Sequence, residues 1–327
     1  MKKKRILSGM RPTGKLHLGH LVGALGNWAV LQDDYECFFM VADWHALMSE
    51  YVNPSKMKEY VIDNVVDWIS CGVSVDKSAI FVQSDVGAHL DLFAILSCLV
   101  PLGWLQRCPT YKEQLRELKQ KEITTYGFLG YPVLQAADIL IYQAECVPIG
   151  EDQLPHLELT REIARRFNSL YKTKVLRDPQ PLLTSFPRFL GLDGRKMSKS
   201  YDNCIYLSDS KDLVKKKTMS MITDPKRIKL TDNGHPDKCN VCSYYKVFAP
   251  ELKEEVAKKC SHAEIGCTDC KRKIGDILIE RLSPIQEKRN KLLSDKQQIL
   301  DIINKGNKKA NQLTSAILAD VKKAMGL

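Results

Sequence analysis

The sequence predicts an α/β fold built on a parallel sheet, followed by an all-helical region. Short apolar runs of strand length, at 36–42 and 79–82, alternate with segments of helical apolar spacing at 55–71 and 90–102. Strands that alternate with helices in this way typically form a parallel sheet with crossover helices on its faces. From Tyr244 to the end the apolar spacing is helical, and no strand signal occurs.

Composition limits the possible classes of protein. The chain has 327 residues, 44% of them apolar, and a formal net charge of +10. This length supports a large core and two domains, which we place at 1–203 and 204–327. The basic surplus is compatible with a polyanionic partner. The basic start leads into a Gly/Pro turn rather than the apolar segment of a secretory signal, and no apolar run reaches the about 18 residues of a membrane span. We therefore expect no membrane partner. The eleven cysteines, most of them expected to be free thiols, favour a cytoplasmic, reducing compartment.

The segment Ser8–His20 joins a short apolar strand, Ile6-Leu7, to a helix predicted to begin near His17. A Gly/Pro-rich turn at the start of a helix can hold an anion, because backbone N–H groups and the helix dipole point at it. His17 and His20 share one helix face, with Gly19 between them. A plain turn with two surface histidines would look the same, so this segment alone does not decide the function.

A second polar segment, residues 194–200, carries Lys196 and Lys199 and has no apolar periodicity. Lysines on such a loop can reach a polyphosphate as point charges. A solvated basic loop is the alternative interpretation.

The helix predicted at 128–142 carries three polar side chains on one face, Tyr131, Gln135 and Asp138, among apolar or small residues. A carboxylate buried in such a segment needs a partner. Asp138 could cap a buried N–H, which would be a structural role. It could equally accept a hydrogen bond from an N–H or hydroxyl group of a ligand.

Two further polar segments follow predicted strands, where ligands of parallel sheets bind. The first is Asp43-Trp44-His45, and the second is Gly150-Glu151-Asp152-Gln153, which follows a strand at 147–149. The acidic groups of the second segment could bind a ribose or merely favour the start of a helix at 155–171. We expect His156 on the surface of that helix.

Two pairs of motifs carry a family resemblance. His17-Leu18-Gly19-His20 and Lys196-Met197-Ser198-Lys199-Ser200, about 180 residues apart, resemble the two signature motifs of class I aminoacyl-tRNA synthetases. Tyr131-x3-Gln135-x2-Asp138 and residues 150–153 resemble the Tyr/Trp subgroup. The opening 8–20, the segment 42–47 and the last five residues look like its tryptophanyl members. His20 and Gln135 look more like the tyrosine enzymes, although a smaller tryptophanyl branch has both.

This resemblance implies a Rossmann-like catalytic domain with a helical insertion at about 104–145, a C-terminal anticodon-binding domain, and a homodimer. It implies that tryptophan attacks the α-phosphate of ATP, giving tryptophanyl-adenylate and pyrophosphate. The adenylate then acylates the 3′ end of tRNA(Trp). ATP and Mg²⁺ are the expected cofactors.

The resemblance also assigns roles to residues. His17 and His20 would donate hydrogen bonds to the ATP phosphates, and Lys196 and Lys199 would neutralise the pyrophosphate. Asp138 would accept the indole N–H of tryptophan. The other expected tryptophan-binding residues are Tyr131, Gln135, His45 and Gln153. The other expected ATP-binding residues are Gly9, Arg11, Pro12, Thr13, Gly19, Gly150, Glu151, Asp152, Phe189, Met197, Ser198 and Ser200.

Five of the eleven cysteines fall within 32 residues, which predicts a metal site. Cys239-x2-Cys242 with Cys267-x2-Cys270 has the spacing of a zinc ribbon. Cys239, Cys260, Cys267 and Cys270 together have the spacing of an iron–sulfur site. The tryptophanyl branch that the sequence resembles binds a [4Fe-4S] cluster with a similar pattern. The resemblance therefore favours these four cysteines as cluster ligands, near the anticodon-facing surface, with Zn²⁺ as the alternative.

Three other functions stay open on the sequence. A tyrosyl-tRNA synthetase would suit His20 and Gln135. A non-catalytic RNA-binding paralogue would not need both signature motifs and Asp138. A different nucleotidyl transferase would not need the long helical extension.

Overall fold

The computed structural model describes residues 3–108, 125–183 and 189–327. Within these ranges five strands form one sheet, and each neighbouring pair is parallel. The strands are β1 (Arg5–Met10), β2 (Glu36–Val41), β3 (Ser78–Val82), β4 (Cys146–Ile149) and β5 (Gln180–Leu183). Their order across the sheet is β3-β2-β1-β4-β5. The predicted parallel sheet is therefore confirmed.

Helices cover the sheet and make up most of the C-terminal region. Those that alternate with the strands are α1 (Leu18–His20), α2 (Gly26–Leu31), α3 (Asp43–Glu50), α4 (Met57–Ser70), α5 (Ala88–Ser97), α6 (Leu102–Arg107), α7 (Tyr126–Ile141) and α8 (Leu154–Leu170). The later helices are α9 (Lys211–Met219), α10 (Asn240–Phe248), α11 (Pro250–Ser261), α12 (Cys267–Leu293) and α13 (Lys296–Met325). None of the described helices is both long and apolar enough to cross a membrane.

The expected helical insertion at about 104–145 includes residues 109–124, which lie outside the described residues. Two elements of the described residues differ from the sequence expectations. The strand β5 was not predicted, because its segment is rich in proline and lacks an apolar run. The helix α3 was not predicted either; it begins at Asp43, whose carboxylate accepts the Trp44 backbone N–H at 3.1 Å.

Side chains of the central strands divide between two apolar layers, because successive residues of a strand point to opposite faces. On β2, Cys37, Phe39 and Val41 pack on one face, while Phe38 and Met40 pack on the other. The first layer is filled by α2, α4, α10 and α12, and the second by α5, α7 and α8. Burial of both faces explains why β2 is a continuous apolar run rather than an alternating one.

The long C-terminal helix α13 covers the β3 edge of the sheet. Gly306 allows this close approach, since a Cβ at this position would collide with the carbonyl oxygen of Ile80. The next residue, Asn307, accepts the Val82 backbone N–H at 2.9 Å and donates to Asp85 at 2.6 Å. A side-chain amide thus replaces the missing neighbouring strand, which leaves fewer edge groups unpaired.

A buried ion-pair network joins α12 to α4. Arg289 contacts Asp63 through Nη2 at 2.7 Å and Asp67 through Nε at 2.9 Å. The Asp67 side chain is 3% exposed, and burial raises its pKa to about 6 against the opposing effect of Arg289. The Arg289 guanidinium therefore balances the negative charge of two carboxylates, and this ion-pair network joins the helical region to the sheet region.

Replacing Arg289 with Met is expected to destabilise the protein by about 3–5 kcal/mol, because the buried Asp67 and the partly buried Asp63 would be left without a cation. Urea unfolding followed by circular dichroism measures this loss. Arg289→Lys keeps one charge and should lose less. Arg281→Met on the exposed face of α12 is the control, with a change within about 0.5 kcal/mol. An Arg289→Met variant as stable as this control would show that the network contributes nothing.

Candidate active site

A cavity of about 420 Å³ opens at the carboxyl ends of β1, β2 and β4. The chain order of the strands reverses between β1 and β4, which is where ligands bind in open parallel sheets. The predicted site residues that line it are Gly9, Arg11, His45, Tyr131, Gln135, Asp138, Gly150 and Gln153. Its remaining walls are mostly apolar and include Ala24, Met40, Met48, Phe128, Ile139 and Ile149.

Backbone pairing brings the two signature motifs together. The Leu18 N–H donates to the Ile205 carbonyl at 3.0 Å, and the Leu207 N–H donates to the Leu16 carbonyl at 3.0 Å. His17 and Tyr206 lie between these bonds as an antiparallel pair. The chain just after Lys199 is therefore fixed beside the start of α1. The two motifs, far apart in the sequence, are neighbours in the fold.

Hydrogen bonds to Nδ1 hold each of the two motif histidines in the tautomer that carries its proton on Nε2. The Gly19 N–H donates to Nδ1 of His17 at 3.2 Å, and the His17 N–H donates to Nδ1 of His20 at 3.2 Å. Burial lowers the pKa of His17 to about 4, assisted by the charge of Lys199. Burial, His17 and Lys199 lower the pKa of His20 well below its usual value. Each ring is therefore neutral at pH 7, with its proton on Nε2 and free to donate to a ligand.

The two motif lysines differ in position. Burial lowers the pKa of Lys199 to about 8, and its ammonium group lies beside Gly14, where a Cβ would be 3.5 Å from Nζ. Gly14 has φ +120°, a conformation that other residues rarely adopt. Lys196 is exposed on the loop. The structure thus places Lys199, and not Lys196, next to the histidines.

A buried asparagine organises the lysine loop and was missed by the sequence analysis. The Oδ1 atom of Asn203 accepts the Ser198 N–H at 2.8 Å. Its Nδ2 donates to Asp193 at 2.7 Å and to the Lys196 carbonyl at 3.1 Å. Three bonds from one side chain set the loop's shape. No local pattern distinguishes such an asparagine from one in a turn.

Asp138 is buried and fully partnered. Its Oδ1 accepts Gln83 Nε2 at 2.8 Å and contacts His89 Nδ1 at 2.7 Å. Its Oδ2 contacts His45 Nε2 at 2.7 Å. Burial raises its pKa, but the hydrogen bonds and the electrostatic influence of His45 and His89 outweigh burial and hold it below the usual value. Gln83 and His89 were missed, although Gln83 directly follows β3, a position that favours site residues.

The hydroxyl of Tyr131 is paired within the protein. It lies 2.8 Å from Nε2 of His156, whose pKa is lowered to about 4 by burial. The prediction that His156 lies on the helix surface was wrong: it is 2% exposed. His156 is the third residue of α8, and its ring faces Tyr131 on α7 rather than solvent.

Several predicted ATP-binding residues lie outside the cavity wall. Ser200, Glu151 and Asp152 are exposed. Phe189 packs against Tyr244, with ring centroids 4.7 Å apart. Others support the motif backbones: Pro12 and Met197 are buried, the Thr13 N–H donates to the Arg11 carbonyl at 2.9 Å, and the Ser198 hydroxyl accepts the Ser200 N–H at 3.3 Å.

The five clustered cysteines interact electrostatically with one another. Burial raises the pKa of Cys242 to about 11, and neighbouring Cys239 and Cys260 add to this. Burial likewise raises the pKa of Cys270 to about 12. Nevertheless, in the described residues, which include all five, no three cysteine, histidine or acidic side chains form a group that could hold a metal ion. The predicted metal site is therefore not formed in this arrangement of the thiols.

Comparison with known proteins defines the class. A family model described as tRNA synthetases class I (W and Y) matches residues 1–283. The chain therefore belongs to the class I tRNA synthetases of the tryptophan and tyrosine group.

Similarity extends over the full length of individual relatives. The chain is 49% identical over 328 residues to the tryptophan--tRNA ligase of Thermotoga maritima, with 99% of each chain covered. It is 41% identical over 394 residues to that of Ralstonia nicotianae, covering 99% of this chain and 98% of the relative. The structure of tryptophanyl-tRNA synthetase from Campylobacter jejuni, complexed with ADP and tryptophan, superposes with a TM-score of 0.90 at 30% identity, covering 99% and 100% of the two chains.

Proposed function

We propose that the protein activates L-tryptophan with ATP and transfers it to the 3′ end of tRNA(Trp). The observation that carries this proposal is the ionised Asp138 in the wall of a cavity at the switch point of the sheet, which Gly9 and Arg11 also line. The full-length similarity to tryptophan--tRNA ligases supports the same conclusion.

In this proposal Asp138 selects the amino acid. The indole N–H is the one hydrogen-bond donor on the tryptophan ring, and a charged acceptor in a buried site rejects rings that lack such a donor. Apolar walls such as Met40, Phe128 and Ile139 suit the flat faces of the indole. Tyr131, Gln135, His45 and Gln153 line the same cavity and would hold the rest of the amino acid.

The nucleotide would lie across the first motif. His17 and His20 would donate through Nε2 to phosphate oxygens, and Lys199 would place its charge where pyrophosphate leaves. Such groups act by orientation and charge stabilisation, which dominate phosphoryl transfer. Mg²⁺ would enter on the phosphate oxygens of ATP and supply further positive charge. Lys196, exposed on the loop, would reach the phosphates only after ATP binds.

The remaining assignments belong to the same proposal. The nucleotide would lie along Gly9, Arg11, Pro12, Thr13 and Gly19. Its ribose would contact the turn Gly150-Glu151-Asp152, and the ATP site would be completed by Phe189, Met197, Ser198 and Ser200.

Residues 1–203 would form the catalytic domain, and 204–327 the anticodon-binding domain. Exposed Leu102 and Tyr126, at 62% and 72%, suggest an apolar contact surface for a homodimer. Because tRNA charging serves translation, the proposed location is the cytoplasm.

We also propose a [4Fe-4S] cluster held by Cys239, Cys260, Cys267 and Cys270. Its support is their spacing and the mutual electrostatic interaction of the thiols. The arrangement described above does not itself fit a metal, so the thiols would have to move closer together to hold a cluster. The cluster's role would be structural, and no step of aminoacyl transfer is assigned to it.

Tryptophan-dependent ATP–pyrophosphate exchange tests the main proposal. We expect exchange with tryptophan and none with tyrosine. Replacing Asp138 with Asn should lower kcat/KM for tryptophan by about 10- to 100-fold, because the charged acceptor is lost and the new amide N–H₂ would face the donors around it.

The KM for ATP is the internal control for that variant and should stay within about twofold, since Asp138 contacts no part of the nucleotide in the proposal. Exchange with tyrosine alone would instead favour the second candidate, a tyrosyl enzyme, as His20 and Gln135 suggest. Exchange with neither amino acid would favour an inert RNA-binding paralogue.

The pH dependence of kcat/KM for ATP tests the role of Lys199. Because its pKa is lowered to about 8, the charge offered to the phosphates is present at pH 7 and lost as the pH rises above 8. We therefore expect kcat/KM to fall on the alkaline side of pH 8. Lys199→Arg should move this fall above about pH 10, because a guanidinium stays charged. Lys196→Arg is the matched control and should leave the profile unchanged; an unchanged profile in Lys199→Arg would assign the titration to another group.

Metal analysis after anaerobic purification tests the cluster. We expect bound iron and sulfide in the wild-type protein, lost in Cys260→Ser and retained in Cys242→Ser. A zinc ribbon predicts the reverse pattern, with zinc lost only in Cys242→Ser. Cys98→Ser, at an exposed and distant thiol, controls for general effects. Retention of iron and sulfide in Cys260→Ser would contradict the proposed ligand set.

A further inference from the structure

The hydrogen-bonding capacity of Asp138 is already used up inside the protein. A carboxylate offers about four lone-pair sites. Oδ1 is engaged by Gln83 at 2.8 Å and His89 at 2.7 Å, and Oδ2 by Gln83 at 3.0 Å and His45 at 2.7 Å. A ligand N–H can therefore bind this carboxylate only by taking the place of one of these donors.

Two of the three donors are fixed. Gln83 and His89 are 0% exposed. Nε2 of His89 lies 3.0 Å from the hydroxyl of Tyr142, which is also 0% exposed. Burial and the charge of Asp138 raise the pKa of Tyr142 well above its usual value, so its O–H remains protonated and donates. His89 must then carry its proton on Nδ1, facing Asp138, so Tyr142 fixes the tautomer that the carboxylate needs.

The third donor, His45, stands in a different position. It lies on α3, just beyond the carboxyl end of β2, and its side chain is 12% exposed and lines the cavity. Of the three donors to Asp138, it alone lines the cavity. Its departure would uncover Oδ2 on the side from which a ligand enters.

We propose that His45 is an exchangeable donor, which leaves Oδ2 of Asp138 when the indole N–H of tryptophan arrives, while Gln83 and the His89–Tyr142 pair stay in place. The inference rests on the proposed function and changes the expected role of His45. It is a specificity-determining residue that competes with the substrate for Asp138. A ligand with an N–H replaces the hydrogen bond that His45 made to Asp138. A ligand without an N–H that displaces His45 leaves the carboxylate one hydrogen bond short, and it therefore binds more weakly.

If His45 competes with tryptophan for Asp138, removing the imidazole should strengthen tryptophan binding, whereas most substitutions in a binding site weaken it. In His45→Leu the donor is gone but an apolar side chain of similar size still lines the cavity. Tryptophan then has no donor to displace, and its dissociation constant should fall about three- to tenfold. His45→Gln keeps an N–H donor and should stay close to wild type. Isothermal titration calorimetry on the full-length protein measures all three. A His45→Leu variant that binds tryptophan with unchanged or weaker affinity would overturn the exchange.

A spectroscopic measurement on the wild-type protein does not depend on how the variants fold. With ¹⁵N-labelled histidine, the Nε2–H of His45 and the Nδ1–H of His89 should both give downfield, hydrogen-bonded proton resonances, assigned with His45→Gln and His89→Asn. Addition of tryptophan should shift or remove the His45 resonance and preserve that of His89. Persistence of the His45 resonance at saturating tryptophan would also overturn the exchange.

An analogue with sulfur in place of the indole nitrogen, β-(3-benzothienyl)alanine, separates this inference from the proposed function. Wild-type protein that binds neither compound contradicts the proposed function itself. Wild-type protein that binds both equally contradicts Asp138 as the recognition group. Preference for tryptophan, combined with weaker tryptophan binding in His45→Leu, contradicts the exchange alone.

Discussion

The site depends on the short backbone pairing between Leu16–Leu18 and Ile205–Leu207. The histidine motif and the lysine loop are far apart in the chain, and neither forms a site alone. Two backbone hydrogen bonds place Lys199 near His17 and His20, close enough for its charge to lower both imidazole pKa values. Burial lowers the pKa of Lys199 itself. The electrostatic contact between the lysine loop and the two histidines therefore follows from one local pairing.

The titratable groups in the two halves of the site have different charge states. Around His17 and His20, burial keeps the imidazoles neutral, and backbone N–H groups occupy their Nδ1 atoms, so each ring offers one donor of fixed direction. Around Asp138, donors overcome burial and keep a carboxylate charged. The proposed function assigns the neutral donors to phosphates and the buried anion to a ring N–H. No single titratable group determines this division; neighbouring backbone and side-chain partners do.

The sequence predicted those features that depend on local pattern. Strands β1 to β4 and helices α4, α7 and α8 were recognisable because their apolar spacing reflects burial on one or both faces. Both signature motifs and Asp138 were recognisable as residue types at defined spacings. Gln83, His89 and Asn203 were not, because their roles arise from contacts across the fold: Gln83 and Asp138 are 55 positions apart. His156 was misplaced for the same reason, since its partner Tyr131 lies on another helix.

The helical region is also joined mechanically to the site. Helix α12 begins at Cys267 within the cysteine cluster, and Arg289 lies near its other end, about 33 Å away at about 1.5 Å per residue. Arg289 holds Asp67 of α4, which accepts the backbone N–H of Leu16, and Asn64 of the same helix donates to the Gly14 carbonyl at 3.4 Å. The position of α12 is therefore linked to the residues before His17 through buried contacts. Removing one member of this ion-pair network would leave a buried charge uncompensated, so the network opposes a change in the position of α12 relative to α4.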